Sequence, residues 1–249
     1  KHCTYCIIPS LRGKFRSRTK ESILEEARLL AASGVKELII VAQDITRYGI
    51  DLYGKVCLTE LLKELCKLDF RWVRLHYLYP ELIDDELIDE IASEDKIVKY
   101  LDIPIQHIND TILRRMNRRG TGEEIRALFK KLRERIPGLV LRTSLITGLP
   151  GEGEAEFEEL CDFLREAKIE RAGVFPYSPE EGTPAALMPD RCSTEEAQRR
   201  AELCMEIQAE IMDGFAETFI GRELDVLVMG REPDGIDSVD DGELIGEQI

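Results

Sequence analysis

Positive charge is the scarcest commodity in this chain. Its 249 residues carry 34 lysines and arginines against 49 aspartates and glutamates, a net charge of −15. Such a surface repels phosphate backbones, which argues against a general nucleic-acid binder. It suits a basic macromolecular partner, or simply solubility. Long hydrophobic runs are absent too: no stretch approaches the apolar length of a membrane span. No secretory leader opens the chain, consistent with a cytoplasmic protein. Histidine is limited to His2, His76 and His107. Neither His76 nor His107 has a metal-ligand partner at helical spacing, so neither reads as a zinc ligand. The seven cysteines are an odd number, and Cys57, Cys66, Cys161, Cys192 and Cys204 are scattered singly. That is no secreted disulfide framework. Cys161 and Cys204 fall on the apolar faces of predicted helices, where a free thiol packs as a small hydrophobe.

The other two cysteines stand apart. Cys3 and Cys6 lie within Lys1-His2-Cys3-Thr4-Tyr5-Cys6-Ile7-Ile8-Pro9. A thioredoxin-type dithiol would sit at a helix start after a strand, and here an apolar pair, a proline and a basic loop follow. A zinc knuckle needs a second ligand pair that the remaining Cys and His do not supply. Thiolates on a loop after a first strand would hold an iron–sulfur cluster with one iron open to a small molecule. That reading expects a third cysteine upstream of Lys1.

Hydrophobic content of 43% and charged content of 33% describe a globular chain. Helical spacing appears over 22–33, 58–68, 83–92 and 154–168. Thr121-Gly122-Glu123-Glu124 and Ser193-Thr194-Glu195-Glu196 are capping boxes, opening helices that run to about Ile136 and Phe219. Strands are predicted over 38–41, 72–78, 98–103, 139–146 and 172–175. The first, Leu38-Ile39-Ile40-Val41, reads as buried on both faces. Strands alternating with crossover helices predict parallel βαβ units. With a first strand expected before the cysteine segment, the count is six: an open partial barrel of the TIM type. Residues 1–220 form this unit. From 221 to 249 the texture changes; Arg222 to Val228 alternates as a strand with one wet face, the expected start of a small β-domain too short to bury its own core.

In such folds, functional groups gather at the carboxyl ends of the strands. Those ends read Ala42-Gln43-Asp44, His76 to Pro80, Asp102 to His107, Ile146 to Glu152 and Phe175 to Ser178. Polar residues end many strands, but five such ends on one rim predict a ligand there. Gly148 and Gly151 would let backbone approach a ligand, or simply make a turn. Arg114, Arg115, Arg118 and Arg119 form a basic cluster, read as a solvated helix face or a substrate-facing patch.

Cys3-Thr4-Tyr5-Cys6-Ile7-Ile8-Pro9-Ser10-Leu11-Arg12-Gly13, with Arg16-Ser17-Arg18, resembles the radical S-adenosylmethionine (SAM) methylthiotransferases. Cys3 and Cys6 match the second and third cysteines of that family's Cys-x-x-x-Cys-x-x-Cys motif. The likeness runs to about residue 228. One branch of the family modifies an adenosine of tRNA, the other an aspartate of ribosomal protein S12. Val41-Ala42-Gln43-Asp44, Tyr48-Gly49, Arg74 to Pro80 and Gln106-His107 resemble the ribosomal-protein branch. Ile108-Asn109-Asp110 and Gly151 to Glu154 depart conservatively from the commonest family wording.

The resemblance implies two [4Fe–4S] clusters in the full-length enzyme, SAM, an external electron donor and the basic protein substrate. It also implies an N-terminal cluster domain and a TRAM-type C-terminal domain, so these 249 residues alone are expected to be an inactive scaffold. By resemblance, Cys3 and Cys6 are cluster ligands and Tyr5 lies against the adenine. Gln43, Gln106 and Arg142 reach SAM, and Ile146, Gly148 and Phe175 shape the adenine pocket. Asp44, Asp102 and His107 are candidates for a structural role instead.

Overall fold

A computed structural model describes residues 2–228. The chain alternates nine α-helices with five strands among the described residues. In order these are α1 (Ile8–Arg12), α2 (Lys20–Ala32), β1 (Glu37–Ile40), α3 (Ile50–Tyr53), α4 (Leu58–Leu65), β2 (Trp72–Leu75) and α5 (Asp85–Ser93). Then follow β3 (Ile97–Asp102), α6 (Asp110–Arg115), α7 (Gly122–Arg135), β4 (Val140–Thr147), α8 (Glu154–Ala167), β5 (Arg171–Pro176) and α9 (Thr194–Glu217). The strands form one parallel sheet in chain order, β1-β2-β3-β4-β5, and its two ends do not meet. The open barrel predicted from the βαβ pattern is the architecture found.

Strand alternation sorts side chains onto two faces. Val73, Leu75, Leu101, Leu141 and Leu145 point to the helices and are fully buried in the main core. Trp72, Val98, Tyr100 and Val140 point to the other, concave face, where Phe215 of α9 packs against them. The helices bury stripes at the expected spacing: Leu58, Leu61, Leu62 and Leu65 on α4, and Phe157, Leu160, Cys161 and Leu164 on α8. A single core leucine of this kind is worth about 2–5 kcal/mol against alanine.

The Thr121 capping box forms in full, with Glu124 reaching back to the Thr121 N–H. The second box forms by half. Ser193 accepts from the Glu196 N–H, but the Glu196 carboxylate is taken by Arg199 and Arg200. One further expectation is corrected. β1 is not buried on both faces: Ile39 is 46% exposed, because β1 is the sheet edge and no described element covers its concave side. Residues 222–228, expected to open the small β-domain, run without helix or strand. The remainder of the expected β-domain lies outside the described residues. The short helices α1, α3 and α6 escaped the periodicity reading because each is too short to show a stripe. α3, for example, is bracketed by left-handed Gly49 and Gly54.

Candidate functional site

The cysteine pair sits on a tight turn closed by the Cys6 N–H donating to the Cys3 carbonyl at 3.1 Å. Cys3 is buried and Cys6 half-buried. The turn is stitched to the chain beyond α6. Thr4 N–H donates to Met116 O (3.1 Å), the Thr4 hydroxyl to Arg115 O (2.9 Å), and Asn117 Nδ2 to His2 O (2.8 Å). On the opposite flank Ala185 N–H donates to Thr4 O at 2.9 Å. Burial pushes the Tyr5 phenol well above its ordinary pKa, and the Cys3 thiol beside it adds to the shift. Both thiols therefore share one rigidly docked turn. Among the described residues, no set of three or more Cys, His, Asp or Glu is placed to hold a metal ion.

A polar seam lines the concave face behind that turn. Arg74 Nε donates to Glu37 Oε1 at 2.8 Å, and its guanidinium lies 5.2 Å from the centre of the Tyr100 ring. Toward the rim, Arg142 Nη1 donates to Asp102 Oδ1 at 2.7 Å, and His76 Nδ1 faces Asp102 Oδ2 at 3.5 Å. Register explains the pairing. Asp102, the last residue of β3, lies opposite Arg142, only the third residue of β4. β4 therefore runs on past β3, carrying Ser144 and Ile146 up the same face. Burial works against the Arg142 charge, and the Asp102 carboxylate more than restores it.

Gln106 continues the rim. Its N–H donates to Ser144 O and its carbonyl accepts from Ile146 N–H, both at 2.8 Å. That pairing holds it at φ +72°; Tyr77, two residues past the end of β2, sits at φ +61°. Left-handed backbone at non-glycine residues costs about 1–3 kcal/mol and clusters at functional sites. Phe175 ends β5 with its ring exposed above Gly173. Gln43 is exposed on the loop after β1. Gln106, Arg142, Ile146 and Phe175 thus share the rim and concave face.

Gly148 has a different reason to be glycine than ligand approach. A Cβ there would meet Ala197 Cβ at 2.4 Å and Cys192 Sγ at 2.9 Å, so the start of α9 fills that space. Its N–H donates to Glu152 Oε1 at 2.8 Å. Glu152 anchors a buried network. His107 Nδ1 accepts from Asn109 N–H, which leaves the ring proton on Nε2, 3.5 Å from Glu152 Oε2. Arg200 Nη1 donates to Glu152 Oε1 at 3.0 Å. Burial would raise the Glu152 pKa; His107, the Gly148 N–H and Arg200 outweigh it and hold the carboxyl below its usual range. The alternative structural role for His107 is the one the geometry favours.

Arg118 is the residue that the pattern misplaced. The run of arginines read as a solvated helix face or a substrate-facing patch; α6 stops at Arg115 and Asn117 turns left-handed at φ +55°. Arg118 swings inward: its Nη2 donates to Pro104 O at 2.5 Å and its guanidinium lies 5.1 Å from the centre of the Tyr79 ring. Asn117, which interrupts the run, and Gly120, which follows it, were the available signal.

Residues 1–164 match the family model of the Radical SAM superfamily. The chain belongs to the radical SAM superfamily. Among curated proteins it is similar to "Ribosomal protein uS12 methylthiotransferase RimO" of Lachnoclostridium phytofermentans, 52% identical over 99% of this chain and 55% of the relative. The protein of the same name from Clostridium perfringens is 53% identical over 91% of this chain and 51% of the relative. The chain thus spans about half the length of the curated relatives it matches. Among solved structures, the radical SAM enzyme coproporphyrinogen III oxidase (HemN) of Escherichia coli aligns with a TM-score of 0.60 at 20% identity, covering 85% of this chain and 50% of that one. The radical SAM methyltransferase TsrM of Kitasatospora setae aligns at 0.61 and 19% identity, covering 75% of this chain and 36% of that one. At such identities these show a shared fold.

A radical SAM protein uses a [4Fe–4S] cluster and SAM. The residues present fit part of that cluster's ligand set. Two thiols meet on one docked turn, and the buried Arg118 Nη1 beside them has no protein partner. An anionic group at the cysteines would meet that cation.

Proposed function

We propose that this chain is the radical SAM core of an enzyme that adds a methylthio group to the β-carbon of an aspartate in ribosomal protein S12. The observation that carries this reading is the 52% identity, over 99% of this chain, to a protein named for that activity. The geometry supports it with a docked cysteine turn above a polar, open concave face.

In this reading Cys3 and Cys6 are two of three thiolate ligands of a [4Fe–4S] cluster, the third contributed from outside the described residues. When bound, the cluster and SAM supply a hydrogen-abstracting carbon radical by one-electron reductive cleavage of the sulfonium. The chain's own residues hold and shield that chemistry. Tyr5, fixed between the two thiols, packs against the nucleoside. Arg142 is anchored by Asp102, so its remaining N–H groups are pre-aimed at a carboxylate without further ordering cost. Gln106, locked by two backbone bonds, and Gln43 on the rim loop supply further polar contacts. Ile146 and Phe175 offer the adenine an apolar wall, and Gly148 fixes the strand end behind it. The acidic surface complements a basic ribosomal protein. The full-length enzyme carries a second cluster and draws electrons from an external donor.

The test is incubation of the full-length, reconstituted enzyme with ribosomal small subunits and, separately, with tRNA, followed by mass spectrometry. One methylthio increment on an S12 aspartate peptide is expected; modification of tRNA alone would overturn the assignment. Reconstituting these 249 residues alone is expected to leave no stable four-iron cluster, because two thiols cannot complete the ligand set.

A further inference from the structure

We propose that Arg118 is a positioning charge for electron transfer: a fixed, half-buried cation that raises the reduction potential of the cluster bound at Cys3 and Cys6. This rests on the cluster assignment above and adds a residue outside the motif.

Three observations carry it. First, Arg118 cannot drift from the cysteines. Residues 2–4 are bonded to Arg115, Met116 and Asn117, and the Arg118 N–H is itself tied to Leu113 O at 2.9 Å. Second, the guanidinium is sequestered. One nitrogen is spent on Pro104 O, the plane is covered by Tyr79, and Nη1 is buried without a protein partner. A buried cation with an unsatisfied donor is costly unless an anion completes it. Third, the ionisable groups that face it are Tyr5, Cys3, Tyr79 and Glu81, and burial keeps the Tyr5 and Tyr79 phenols neutral. The first two belong to the cysteine turn, and the one carboxylate among them, Glu81, is exposed. Burial works against the Arg118 charge, and a neutral phenol does not offset that cost.

A cluster core held by thiolates is anionic, and accepting an electron adds one more negative charge. A cation in a low-dielectric setting stabilises the reduced form more than the oxidised one, so the potential rises. The electron comes from a one-electron donor of the ferredoxin or flavodoxin class, or from dithionite in vitro. It goes to the cluster, and no bond or proton changes place in this step.

The experiment is an electron paramagnetic resonance redox titration of the full-length reconstituted protein, following the signal that Cys6→Ala removes. At fixed reductant poise, Arg118→Gln should lower the reduced-to-oxidised ratio at least about tenfold, or about 59 mV for one electron, with iron content unchanged. Arg118→Lys restores charge without the planar fork and should stay within about threefold. Should Arg118→Gln fail to load iron, Glu81→Gln on the exposed neighbour carries the test: the ratio should rise at least about twofold, reduced from the buried case by screening. An unchanged potential in iron-loaded Arg118→Gln overturns the proposal, as does a Lys variant that shifts as far as Gln. If Arg118→Gln fails to load, an unchanged ratio in Glu81→Gln overturns it. If Cys6→Ala keeps full iron and signal, the cluster assignment itself fails, a result distinct from any of these.

Discussion

Replacing Arg200 by methionine should destabilise this fold more than any surface arginine change. Arg200 is 6% exposed and its partner Glu152 0%. The substitution removes the Nη1 bonds to the Glu152 carboxylate and carbonyl, each 3.0 Å, and leaves a buried charge. Breaking a buried pair from one side costs about 3–5 kcal/mol. Two features place this case at the lower end. Glu152 keeps the Gly148 N–H and His107, and methionine retains apolar contact with Phe157, over which the guanidinium now lies at 5.1 Å. The expected loss is about 3 kcal/mol, or about 6–12 °C in Tm for a domain of this size. Arg199→Met is the control: at 49% exposure, its pair with Glu196 is worth under about 1 kcal/mol. Adding Glu152→Gln to Arg200→Met removes the orphaned charge and should recover about 1–3 kcal/mol. Urea unfolding followed by far-UV circular dichroism reads wild type and all three variants. If Arg200→Met costs no more than Arg199→Met, or the double variant recovers nothing, the buried network is not what holds α9 to the end of β4.

The same network sets an acid limit. Glu152 is held below its ordinary carboxyl range. Its stabilising contribution is therefore present above about pH 4.3 and lost as pH falls through the lower folded value; urea midpoints should drop more steeply for wild type than for Glu152→Gln between about pH 5 and 3. Gly148→Ala should cost more than Gly138→Ala. Both sit at positive φ, +77° and +74°, but a Cβ at 148 collides with Ala197 while 138 faces open space. Strain alone costs about 1 kcal/mol, so a difference of about 2 kcal/mol or more in thermal unfolding isolates the collision. Thr121→Ala removes one half of the complete capping box and should cost about 1 kcal/mol in the same measurement.

Much of the fold was legible because local rules and tertiary demands agreed. The five strands and the larger helices follow from period-2 and period-3.6 patterning, and α8 buries Phe157, Leu160, Cys161 and Leu164 as its spacing implied. Misreadings arose where one segment's state depended on a distant one. Leu38 to Val41 reads as a fully buried strand from composition; whether a second face is covered depends on a neighbour that composition cannot reveal.

At the site, sequence alone determined the chemistry available. Two cysteines at a fixed spacing on a loop, an aromatic between them, and polar residues at successive strand ends follow from the order of residues along the chain. Tertiary structure decided which of those groups work together. Arg142 meets Asp102 because β4 runs past β3 in register. Gly148 is glycine because α9, some fifty residues later, fills its Cβ position. Arg118 follows a left-handed asparagine just past α6 and turns in to the Pro104 carbonyl and the Tyr79 ring. Pairings of this kind depend on register, packing depth and one backbone angle. Those quantities are fixed by the whole sheet and its helices at once, so no local window of sequence contains them.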